Sequence, residues 1–279
     1  MRLLPSSAVA CALLAAPAMA DDARGFQFDL TLDAWFPRLV GNAALGPGGS
    51  TVSVESLDLH DSEVAFSGAL RTTWDRCFVE ARGFTFETDG ATQTFTSSAS
   101  WWSASVDFGY ALWRPFDANP FPWSEAQERP DNRAPDGAQR LSLDIAPTLG
   151  VTWDQIDIGT TTIATGAGSN IDGGWASLRV GFELGLRLHT KDLVGFIDSI
   201  DVLASMSVGP SFGADGDGDG VGDLWWIDGG VKVMFTPNVG AHLGYRLVDG
   251  NYENSPTGAQ QSTLDLSLQG LVAGLAIRF

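Results

Sequence analysis

The densest chemistry in this 279-residue chain is the acidic run Asp215-Gly216-Asp217-Gly218-Asp219-Gly220-Val221-Gly222-Asp223. Carboxylates at its first, third, fifth and ninth positions, with glycine at the sixth, follow a calcium-loop spacing. The ion takes roughly 6–8 oxygens, and glycine allows the sharp turn. The twelfth position, where a bidentate Glu belongs, is Trp226, so Asp215, Asp217, Asp219 and Asp223 make an incomplete cage. Such a cage would bind Ca2+ weakly, on the order of 10⁻⁴–10⁻³ M; the competing reading is a solvated acidic hairpin loop. No other cofactor is expected. A second constellation is His60-Asp61-Ser62 with Glu63 adjacent. A hydroxyl beside an imidazole that a carboxylate orients is the arrangement of an acyl-transfer nucleophile. His242 and Arg246 share the polar face of a late strand, where pairing with Asp228 or Asp265 is expected, and His189 falls in a turn.

The elements that must carry these groups are strands. Residues 1–20 read as a secretory signal peptide: one cation at Arg2, an apolar run, and Ala18-Met19-Ala20 before the expected cleavage. The run is too short to span a bilayer, and Cys11 with its preceding Ala-Val-Ala only loosely imitates a lipoprotein processing site. Residues 21–279 read as one domain in which Cys77 is the only cysteine, so no intrachain disulfide forms there. A formal charge of −18 excludes nucleic-acid binding, which needs basic patches, and favours divalent cations.

Alternation at period two recurs along the whole domain. From Gly25 to Phe36, Phe26, Phe28, Leu30, Leu32, Ala34 and Phe36 alternate with Gln27, Asp29, Thr31, Asp33 and Trp35. Further strands are predicted over 63–74, 77–87, 102–113, 141–153, 175–188, 200–212, 224–236, 239–248 and 263–279, with a Pro-rich polar loop over 117–138. The third strand conflicts with itself. Placing Glu80 and Arg82 inside also places Phe84 and Phe86 inside, unless a bulge at Gly83 resets the register. Ten strands are counted, and shifted boundaries would make it eight or twelve. The fold class is all-β: an antiparallel up-and-down transmembrane β-barrel.

Three features favour a membrane barrel over a soluble one. The polar faces carry unlike charges (Arg71, Arg179, Glu183, Arg187, Asp201, Lys232, Arg246 and Asp265) that can pair across a narrow lumen. Tryptophans gather at strand ends, with Trp35, Trp101, Trp102, Trp153, Trp175, Trp225 and Trp226 expected at one rim and Trp74 and Trp113 at the other; indoles suit the headgroup layer. The last strand alternates to an aromatic terminus, Phe279.

That ending, together with Gly244-Tyr245-Arg246-Leu247, Asn251-Tyr252-Glu253-Asn254, Leu264-Asp265-Leu266-Ser267-Leu268 and Gly274-Leu275-Ala276-Ile277-Arg278-Phe279, resembles the closing hairpin of small bacterial outer-membrane barrels of the OmpA- and OmpW-like size class. The resemblance covers the C-terminal third and implies fold, location in the cell outer membrane, and recognition of the final strand by the barrel-assembly machinery. It brings no catalytic residues. The acidic run likewise resembles the calcium loops of thrombospondin type 3 repeats and dockerins. His60 and Ser62 are similar to the pair of outer-membrane lipid A deacylases, although there the pair sits near the C-terminal strand.

These readings converge on an integral outer-membrane barrel that is not an enzyme, with strand one rising from the periplasm. Its acidic outer loops would meet cations, outer-membrane lipid and lipopolysaccharide, or its lumen would form a narrow pore. The alternative is a lipid-modifying barrel enzyme acting through His60, Ser62 and Glu63.

Overall fold

The structure, a computed structural model, describes residues 26–44, 51–61, 63–117, 121, 123, 140–213, 220–254 and 262–279. Residues 1–20 and most of the calcium-loop run therefore lie outside the described residues. Eleven strands follow in order: β1 (Phe26–Ala44), β2 (Thr51–Ser53), β3 (Ala65–Trp74), β4 (Cys77–Ala91), β5 (Phe95–Tyr110), β6 (Leu141–Thr162), β7 (Gly168–His189), β8 (Ser199–Gly213), β9 (Val221–Met234), β10 (Val239–Asn254) and β11 (Ser262–Arg278). Every neighbour pair is antiparallel, and β11 closes on β1. Ten strands make the wall, while the short β2 only pairs with the far end of β1.

Register sets the girth. A path drawn square across the strands from Phe28 passes Thr72, Val79, Phe108, Leu149, Val180, Val208, Trp225, Asp249 and Ser267. It returns to β1 at Val40, twelve residues further along. Ten strands with that stagger tilt by about 40° and enclose a backbone radius of about 10 Å. Side chains from opposite walls meet across such a lumen.

The lower end, where β1 starts and β11 finishes, has the tight Asp75-Arg76 turn, with Asp75 at φ 51. From there the outward face is apolar for about ten residues per strand: Leu30 and Leu32 on β1, Val106 and Phe108 on β5, Val180 and Phe182 on β7, Leu243 on β10, and Leu271 and Leu275 on β11. Leu243 is 61 % and Val180 58 % exposed. Such a belt, roughly 25 Å tall, is the lipid-facing wall of an integral outer-membrane barrel. Among the described residues no helix is long and apolar enough to cross a membrane; the strands do so.

The strands outrun their predicted lengths at the upper end, β1 continuing to Ala44 and β6 to Thr162. There the pattern inverts. Outward positions become polar (Gln155, Asp157, Asp265), and inward positions become apolar (Leu39, Ile156, Ile158, Leu264, Leu266). Leu243→Arg, at mid-belt, is therefore expected to destabilise the protein by about 2–4 kcal/mol. Asn251→Arg, on the same strand above the belt, should be close to neutral. Denaturant midpoints of the two variants in lipid vesicles check the contrast.

Candidate functional site

The lumen is filled in two storeys. The lower storey is an ion-pair lattice built from alternate residues of facing strands. Arg82 is its hub, with ion-pair distances of 2.7 Å to Glu80, 3.5 Å to Asp107 and 3.7 Å to Asp228. Arg71 reaches Glu183 at 2.7 Å and Glu80 at 3.5 Å. Arg179 donates to both oxygens of Asp107 at 2.9 and 3.0 Å, and Arg246 pairs with Asp228 at 2.9 Å. Nearer the lower mouth, Arg278 bridges Asp29 and Asp201, and Arg187 also reaches Asp201. The approach of Asp107 to Arg179 depends on Gly150: a Cβ there would fall 1.9 Å from Asp107 Oδ1.

The upper storey is an aromatic and aliphatic plug. Trp35, Phe84, Phe86, Trp101, Trp175, Trp226 and Tyr252 pack with Leu224, Val248, Leu268 and their neighbours into one buried cluster. Trp35 meets Phe84 edge-on with centroids 5.1 Å apart, and Phe84 lies 5.9 Å from Trp226. The guanidiniums of Arg82, Arg179 and Arg246 approach the Trp226 ring at 5.3, 5.1 and 5.8 Å, so an indole face caps the cationic side of the lattice. The connection after β2 turns into the barrel over this plug. A 3-10 turn at Val54–Leu57, capped by Ser53, buries Val54, Leu57 and then Leu59. Gly90 permits that packing, since a Cβ there would lie 2.4 Å from the Asp58 carbonyl oxygen.

Several expectations change here. No bulge occurs at Gly83; the β3–β4 register runs unbroken from Trp74 to Phe66, and Phe84 and Phe86 do face inward, into the plug. Trp35, Trp101, Trp175 and Trp226 leave the expected rim for the interior, whereas Trp102, Trp153 and Trp225 face outward at the top of the belt. Adjacent tryptophans must alternate faces, so each Trp-Trp pair serves both layers. Asp265 is on the outer wall rather than in the lumen, because its neighbours Leu264 and Leu266 occupy the inward positions. Arg246 takes Asp228 as expected, but His242 pairs with Asp33 at 3.0 Å across the β11–β1 closure. The ion pairing reaches Asp29, Glu80 and Asp107, which the sequence reading did not single out for it; their inward parity was the signal.

Of the predicted site residues, His60, Glu63 and Asp223 lie among the described ones. His60 is half-buried with an unpaired Nδ1, Glu63 is exposed with Thr88 donating to it at 3.4 Å, and Ser62 lies outside the described residues. Asp215, Asp217 and Asp219 also lie outside them. Asp223 faces outward on β9 and accepts from the Trp225 indole at 3.1 Å. Among the described residues no group of three or more His, Cys, Asp or Glu is placed to hold a metal ion.

Above the belt the wall carries an acidic collar that includes Asp89, Asp157, Asp172, Asp249 and Asp265. Asp157 and Asp172 are direct cross-strand partners. Partial burial, and then the charge of Asp172, raise the Asp157 carboxyl above its ordinary range. At the lower mouth a vestibule of about 720 Å3 is lined by Arg71 and Glu183 together with Lys232, Arg187 and Arg114. Beside it, Trp113, Phe121 and Trp123 stack in series, with interplanar angles of 10° and 17°.

No family model and no curated protein matches the chain. Among solved structures it is similar to the outer-membrane protease OmpT of Escherichia coli, with 12 % identity, a TM-score of 0.43, and coverage of 92 % of this chain and 98 % of that one. It is also similar to the monoaromatic hydrocarbon channel CymD (10 % identity, TM-score 0.31, 91 % and 88 % covered) and to the Ralstonia pickettii toluene transporter TbuX (10 %, 0.32, 92 % and 89 %). At this degree of superposition the activities of those proteins do not carry over to this chain.

Proposed function

We propose that this protein is a closed, non-conducting barrel of the outer membrane whose work is done at its extracellular collar. The observation that carries this reading is the two-storey filling of the lumen. A pore needs a continuous wet path, whereas here a lattice of paired charges gives way to an indole-rich plug in which Trp35 is 0 % and Trp226 1 % exposed. The upper extension is built like a small soluble barrel, apolar inside and polar outside, standing on a membrane barrel of the opposite sense. A rigid stalk of that kind presents its rim to the surroundings. Acidic residues predominate on the described part of the collar, and Asp157 and Asp172 face each other across the β6–β7 pair, an arrangement that a divalent cation would relieve. The partner of that chemistry is the phosphate-bearing saccharide of lipopolysaccharide, bridged through Mg2+ or Ca2+.

Two measurements test the reading. The purified protein in planar bilayers is expected to give no ion conductance; reproducible single-channel steps would refute closure. Its retention on lipopolysaccharide-containing vesicles through the collar should weaken when a chelator removes divalent cations, and should weaken further in Asp157→Asn/Asp172→Asn. Retention indifferent to both changes removes the collar from the proposal.

A further inference from the structure

Four buried N–H groups converge on one level of the lumen without a hydrogen bond: Nε1 of Trp35 and of Trp226, and Nε of Arg82 and of Arg179, of which Arg82 Nε lies 3.5 Å from Asp107 in an ion pair without hydrogen-bond geometry. Three hydroxyls without a hydrogen-bond partner accompany them, on Ser67, Ser105 and Thr152. Register brings these groups together. Ser67 stands opposite Phe84, Arg82 opposite Ser105, and Ser105 opposite Thr152, while the Arg82 and Arg179 guanidiniums both lie over the Trp226 ring. All of these side chains are at least nine-tenths buried. The level they share is the boundary between the charged storey and the aromatic plug.

Buried polar atoms in folded proteins are almost always hydrogen-bonded, to protein or to ordered water. So many orphans at one level, left dry, would weigh against the stability of the whole domain. We infer that this boundary is a binding site for a cluster of ordered water molecules, reached from the lower vestibule and terminated by Trp226 and Trp35. The donor set calls for a guest that accepts hydrogen bonds. The carboxylates beside it, Asp107 and Asp228, call for one that also donates. Water does both. A halide would accept from the four N–H groups but would sit beside those carboxylates with nothing to offer them. The lumen is therefore wet from one side only, with the lattice hydrated up to the indoles and the plug above them dry. The direction of entry rests on the closed-lumen reading; the hydration does not, so bilayer conductance and the tests below fail independently.

Thr152→Val in the otherwise intact protein separates the two states by sign. If the hydroxyl binds water, its loss strands a water ligand and the denaturant midpoint falls. If the belt is dry, replacing an unpaired hydroxyl by a methyl group leaves the midpoint unchanged or raises it, which overturns the inference. A crystal structure of the wild-type protein grown with bromide in place of chloride gives a second readout that does not depend on how the variant folds. Water density within hydrogen-bonding distance of the Trp35 and Trp226 indole nitrogens is expected. Either an anomalous bromide peak at that place or a boundary free of density refutes the water site.

Discussion

Arg82→Met is expected to destabilise the folded barrel by about 3–5 kcal/mol, the range for removing one partner of a buried charge set. No other side chain in the lattice has as many acidic neighbours, since Arg82 faces Glu80, Asp107 and Asp228 together. Methionine keeps much of the length and volume, so the loss reports charge rather than a cavity. Two of the three carboxylates keep a cation afterwards: Asp107 has Arg179 and Asp228 has Arg246. Glu80 keeps only the longer contact to Arg71 and becomes the exposed weakness. Arg82→Met/Glu80→Gln should accordingly recover part of the loss. Urea midpoints in detergent micelles, together with the fraction of heat-modifiable protein on unboiled gels, measure both variants. A single-variant cost below about 1 kcal/mol, typical of an exposed pair, would show that the lattice is solvated and weak.

Trp226→Ala is expected to cost a similar 3–5 kcal/mol, for a different reason. The indole is the floor of the plug and the shared face of three guanidiniums, so its removal opens a cavity at the point where the two storeys meet. Trp225→Ala, one residue away and facing outward, removes the same side chain from the upper edge of the lipid belt and should cost much less. The adjacent pair is a direct test of which face is inside. Equal losses at 225 and 226, or a larger loss at 225, would contradict the register. If the lattice alone holds the lumen shut, Trp226→Ala remains silent in bilayers; if the plug is the barrier, it conducts.

Much of the architecture was legible in the amino-acid order because a wall strand carries a period-two signal that any antiparallel barrel must show. Leu178, Val180, Phe182 and Leu184 against Arg179 and Glu183 leave β7 no other sensible assignment, and each predicted strand overlaps an observed one. Parity also identified which charges share a face. It could not identify partners, since those depend on where the sheet closes: His242 reaches Asp33 only because β11 folds back onto β1. The His60-Ser62 and Asp215–Asp223 motifs read plainly as local patterns, and Ser62, Asp215, Asp217 and Asp219 lie outside the described residues.

The order of residues by itself therefore determined that this chain forms an all-β barrel with an apolar outer belt, since alternation and charge parity are local properties that survive any choice of register. Only the tertiary structure decided the height of each residue along the barrel. Height is the sum of strand tilt and stagger accumulated around ten strands, and it separates Arg82 in the ionic storey from Phe84 in the plug although both point inward from one strand. It also turned the upper ends of β1, β6 and β11 inside out, with Leu39, Ile156, Ile158, Leu264 and Leu266 on the axis. Above the bilayer the solvent changes from lipid to water, and the same alternation must then place its apolar residues on the axis.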